Sequence, residues 1–162
     1  MLRTTIPAAL LALLVAGGVA LTSATTAHAD EQKSNGAAGS ITFRTERYQL
    51  SDRAVVSTSP TTIRIVDDSA TTKQGTKTSL YVQFGYSLDP DKPTVLRVNS
   101  GVAIRGYDFA TGTYDHHQRI ELGPGALSID SPNWSEATHT WGHLNAPNER
   151  GIDLDVHGVH FG

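Results

Sequence analysis

From residue 41 to the end of the chain, apolar residues alternate with polar ones or come in short runs bounded by Gly, Pro, Asn and Asp. No stretch of a dozen residues repeats them at helical spacing. The pattern predicts strands at 41–50, 54–57, 62–66, 79–88, 94–99, 102–109, 113–122, 126–130, 139–144 and 152–161. In the fourth of these, Leu80, Val82, Phe84, Tyr86 and Leu88 fall on even positions, so one face is expected to pack inward while Tyr81, Gln83 and Ser87 face away. The last strand has Ile152, Leu154 and Val156 inward and Asp153, Asp155 and His157 outward. A bulge at Gly158 is then expected to shift the phase, making Val159 and Phe161 the inward pair.

Turn chemistry points the same way. Two proline φ angles make Asp89-Pro90-Asp91-Lys92-Pro93 a rigid reversal, and Ala110-Thr111-Gly112 and Gly123-Pro124-Gly125 read as hairpin turns. Asp130-Ser131-Pro132-Asn133 is suited to cap a single helical turn. Short strands at such intervals favour an antiparallel two-sheet sandwich, jelly-roll or immunoglobulin-like, with a closed barrel as the alternative.

The first 29 residues break this pattern. Arg3 precedes an apolar stretch from Ala8 to Leu21, and Ala27-His28-Ala29 is a small-x-small cleavage site, the form of an export signal. A secreted protein is expected, periplasmic if the source has an outer membrane. The alanine-rich leader and the cysteine-free chain suit a bacterial source, and the apolar run falls short of the roughly 20 residues that span a bilayer. Residues 30–40 (DEQKSNGAAGS) are small and polar and read as a flexible linker, leaving 41–162 as one domain.

With Arg3 set aside, the formal net charge of −3 becomes −4, which gives no general field to attract nucleic-acid phosphates. Without cysteine there is no disulfide framework and no thiol chemistry, so packing alone must hold the fold.

Two residue sets carry candidate chemistry. His139, His143, His157 and His160 crowd the C-terminal end near Asp153 and Asp155, a donor set that suits a divalent zinc, copper or nickel ion. His139 and His143 stand about 13 Å apart at strand rise, so a site must draw one histidine from each of the last two strands. Solvent-facing histidines are the simpler reading, and no cofactor is required. The second set is aromatic: Trp134, Trp141, Tyr107 and Tyr114 offer flat platforms on which the apolar face of a sugar stacks. Trp134, in a polar loop, is expected to be the exposed one, and Trp141 to belong to the core.

Enzyme signatures are missing. There is no Gly-x-Ser-x-Gly elbow, and Gly75-Thr76-Lys77-Thr78 lacks the glycine before the lysine of a phosphate loop. Glu136, Glu149, Asp153 and Asp155 are the carboxylates available as an acid and base pair. Asp67-Asp68 and Asp89/Asp91 match no calcium loop. The leading expectation is a secreted, non-catalytic module whose partner is an extracellular glycan or protein. A small secreted hydrolase or metal-binding protein built on the terminal histidines is the alternative, followed by a protein inhibitor inserting the loop at residues 89–93.

Overall fold

The computed structural model describes residues 32–162; the expected export leader and cleavage site lie outside the described residues. All regular structure among them is antiparallel β, apart from two single 3₁₀ turns. The strands are β1 (Gln32–Asn35), β2 (Ala38–Phe43), β3 (Glu46–Gln49), β4 (Val55–Thr58), β5 (Thr62–Thr72), β6 (Lys77–Leu88), β7 (Val95–Arg105), β8 (Arg119–Leu122), β9 (Gly125–Ile129), β10 (His139–Ala146) and β11 (Glu149–His157).

The architecture is the closed barrel rather than the two-sheet sandwich. Pairing runs β5-β3-β2-β11-β10-β9-β7-β6 and returns to β5, so eight strands close on themselves. Three further pairings extend this wall: β4 on β5, β8 on β7 and β1 on β4. β3 and β4 meet successive parts of β5, and β8 and β9 meet successive parts of β7, each couple lying along one interrupted path. The chain therefore winds up and down in sequence order. The seam is β11 on β2, with Ile152 opposite Phe43, Leu154 opposite Ile41 and Val156 opposite Gly39. Closure removes the exposed edges that a sandwich would leave on its outer strands.

Alternation fills the interior. Ile41, Phe43, Ile63, Ile65, Leu80, Val82, Phe84, Leu96, Ile120, Leu127, Leu144, Ile152, Leu154 and Val156 are all buried in one cluster. A small eight-stranded barrel has an interior just wide enough for such side chains to pack, so they hold the fold without covalent staples. Phe161 is fully buried although β11 ends at His157. The chain turns at Gly158 (φ +87°), and Val159 and Phe161 pack against the core from beyond the strand. The expected bulge is thus a strand end, while the inward pair is as the pattern implied.

Several elements differ from the sequence pattern. Residues 41–50 form a hairpin rather than one strand, turning at Arg44-Thr45 with Arg44 at φ +58°, a left-handed turn with no Gly or Asn to announce it. The expected break between residues 99 and 102 is a register shift within the single strand β7. Gly123-Pro124 does not reverse the chain; it interrupts the straight path from β8 to β9. Leu88 is 48% exposed, beyond the register shift that follows Gly85. Part of the expected linker is ordered: Gln32–Asn35 pairs with β4, and Ala38–Ser40 opens β2. Backbone pairing supplies there what composition withholds.

Polar side chains pin the turns. Asp67 is buried and accepts from the Ser51 amide and hydroxyl, both at 2.6 Å, and from the Ser69 amide at 2.9 Å, while Asp68 pairs with Arg53. These aspartates serve the fold at the β5 irregularity. Asp89 accepts from Arg97 Nε at 2.8 Å and from the Asp91 amide at 3.0 Å, and these bonds hold its carboxyl below the usual range. Tyr48 is buried and donates to Glu46 at 2.6 Å, and Arg105 donates to the tyrosine oxygen at 2.8 Å. Burial, then the Glu46 hydrogen bond, raises the Tyr48 phenol above its ordinary value, so it remains a donor.

Candidate functional site

The outward residues of neighbouring strands line up in rows. One runs Ser128–Trp141–Asp155–Ser40–Gln49–Thr71 across β9, β10, β11, β2, β3 and β5. Beside it runs His143–Asp153–Thr42–Arg47, and on the other flank His139 faces His157. At strand spacing, the six positions of the longest row cover about 24 Å of curved wall. Inward neighbours Thr140, Leu144, Ile152, Leu154 and Val156 anchor the same strands in the core, so the outer side chains stand on a rigid support.

This wall carries a groove of about 250 Å³ lined by Ser40, Thr42, Arg47, Asp153 and Asp155. A second recess of about 350 Å³, lined by Arg47, Gln49, Thr71, Thr72 and Lys73, shares Arg47 with it. Charge is divided along the path, with carboxylates at the β11 side and Arg47 and Lys73 at the β3–β5 side. Arg47 Nε donates to Ser40 Oγ at 3.0 Å and Gln49 Nε2 to the Gly39 carbonyl at 2.6 Å, which settles both long side chains against the wall. Sequence reasoning missed Ser40, Thr42, Arg47 and Gln49, because the seam that brings β2 and β3 beside β11 joins residues more than 100 positions apart.

The tryptophans exchange their expected places. Trp141 is 38% exposed on the outer wall, its ring 4.4 Å from that of His139 between centroids. Trp134 is half-buried in a 3₁₀ turn (Trp134–Glu136) and packs against the core, 5.2 Å from the Tyr86 ring and 6.1 Å from Phe161. The expected helical turn thus starts at Asn133, whose side chain accepts from the Ser135 amide. Tyr107 and Tyr114 lie on the loop after β7, away from Trp141. Tyr107 stacks with Tyr81 at 5.0 Å and with Tyr114 at 6.0 Å, with Phe109 edge-on, so it is engaged in a ring cluster of its own. The four aromatic residues do not form one platform, and Trp141 alone joins the polar rows.

The histidines separate as well. His143 Nδ1 is 2.7 Å from Asp153, which also meets Arg150 at 3.4 Å, and His139 Nε2 is 2.9 Å from Asp155. His157 faces His139 across the strands, while His160 lies exposed past the end of β11. The four do not converge, and among the described residues no group of three or more His, Asp or Glu is placed to hold a metal ion. His116 and His117 sit in a 3₁₀ turn capped by Asp115 rather than on a strand. Asp130 fixes the start of β10. Burial raises its pKa, but the Thr138 hydroxyl and the Thr138 and His139 amides outweigh that and hold the carboxyl below its ordinary range.

Among the described residues, Glu149, Asp153 and Asp155 are not placed as an acid and base on opposite sides of the groove. Glu149 is bound by Arg44, and Asp153 and Asp155 lie on one strand, on one side of the groove, each with a histidine. Such chemistry needs carboxyls flanking the scissile bond. No family model, curated protein or solved structure matches the chain.

Proposed function

We propose that the protein is an exported, non-catalytic barrel module that binds an extracellular glycan along its outer wall, with Trp141 as the stacking surface. The observation that carries this reading is a tryptophan held exposed on a core-anchored strand, in line with Asp155, Ser40 and Gln49 across neighbouring strands. A sugar ring presents an apolar face to such an indole and hydroxyls to carboxylates and guanidinium groups, and here Trp141 stands beside Asp155, which lines the shallow groove with Asp153 and Arg47. The leader composition supports export.

Co-sedimentation with insoluble polysaccharides and bacterial cell walls tests the reading. Wild-type protein is expected to be retained and released by soluble oligosaccharide. Trp141→Ala should weaken retention about tenfold or more, whereas Tyr107→Ala should leave it unchanged. Equal retention of Trp141→Ala would remove the platform, and recovery of a protein ligand alone from cell walls would replace the glycan.

A further inference from the structure

We propose that His139 and His157 form a two-imidazole site on the barrel wall for a divalent copper, nickel or zinc ion, with water completing its coordination. The site adjoins the proposed glycan wall, since Asp155 and Trp141 both contact His139, and it rests on strand register. His139 and His157 are directly opposite in the β10–β11 pair, and Asp155, two residues before His157, shares their outer face. Directly opposed residues on one face hold their Cβ atoms about 5 Å apart, within reach of one ion.

The ring positions fit this assignment. The imidazole centroids are 5.7 Å apart, with the rings nearly perpendicular at 84°. Two imidazoles sharing a tetrahedral ion, at about 2.0–2.1 Å from metal to nitrogen, have centroids roughly 5 Å apart. Rotation of the two side chains is what would turn a nitrogen of each ring toward one ion. His157 is exposed and His139 half-exposed, and rotations of such side chains take picoseconds to nanoseconds. His139 Nε2 now faces Asp155 Oδ1 at 2.9 Å, so an ion entering there exchanges that hydrogen bond for coordination by the imidazole. Imidazole donors suit copper, nickel and zinc, and copper(II) binds most tightly of the three. His143 is excluded because it lies about 13 Å along the strand from His139. His160 is excluded because it lies beyond the end of the strand pair.

Trp141 supplies the readout, since its ring is 4.4 Å from His139 and a copper(II) ion at that imidazole quenches its fluorescence. Untagged full-length protein titrated with CuCl₂ at neutral pH should show saturable, one-to-one quenching, and calorimetric titration with ZnCl₂ should give the same stoichiometry. His157→Ala and His139→Ala, each checked for an unchanged circular dichroism spectrum, should weaken copper binding at least tenfold. His143→Ala and His160→Ala should bind as the wild type does. Quenching that never saturates, or His157→Ala binding copper as tightly as the wild type, would overturn the site. So would loss of binding on replacing His143.

Discussion

Gly39→Ala is expected to cost the barrel about 4 kcal/mol or more, lowering its melting temperature by about 12 °C or more. Gly39 lies on the closing seam opposite Val156, at φ +114°, and a Cβ built there comes 2.0 Å from the Asp155 carbonyl oxygen. That is a clash with backbone in a conformation that L-residues rarely adopt, and neither partner can yield without opening the β2–β11 pair. Gly75, at φ +84° in the turn between β5 and β6, has nothing within 4 Å of its built Cβ. Gly75→Ala therefore costs the conformational term alone, about 1 kcal/mol. Thermal melts of the two variants separate steric closure from backbone preference. Equal, small losses would mean that β2 and β11 do not press together at Gly39.

Phe161→Ala is expected to cost about 3–5 kcal/mol, as removal of a fully buried aromatic ring does. Phe161 is 0% exposed, its amide donates to the Ala137 carbonyl at 2.9 Å, and its ring lies beside Trp134. The neighbouring exposed His160 carries none of this packing, so His160→Ala should change stability by no more than about 0.5 kcal/mol. Denaturant unfolding measures both. A Phe161→Ala variant as stable as the wild type would show that the segment after β11 does not dock. The same contacts make Trp134 a part of the fold, although its sequence neighbours are polar.

The strand content of the chain was legible because alternation is a local property. Leu80, Val82, Phe84 and Tyr86 point inward as their spacing requires, and so do Ile152, Leu154 and Val156. Closure was not legible, because whether β2 meets β11 depends on bends and register shifts accumulated around the wall. No window of sequence records that sum. Composition likewise made residues 32–40 look unstructured, although their pairing partners lie at residues 55–58 and 155–157.

The site was half-legible. Trp141 shares its strand phase with His139 and His143, and Thr140 and Leu144 take the inward phase, so alternation already placed the indole outside. The expectation of a core tryptophan weighed residue type above phase, and phase was the better guide. The pairing of His139 with His157 required the register of the β10–β11 hairpin, which the loop composition at residues 147–148 does not specify. Arg47 and Gln49 entered the groove only through the seam.

Both the fold and the placement of the groove depend on the first long strand pairing with the last. Cross-strand proton contacts by NMR on the uniformly labelled protein address this directly, with Ile41 and Leu154 as the diagnostic pair. The barrel requires contacts between these residues and slow amide exchange along both β2 and β11. An absence of contacts between the two strands, with fast exchange along their facing edges, would contradict the closed barrel and separate Trp141 and Asp155 from Ser40 and Gln49.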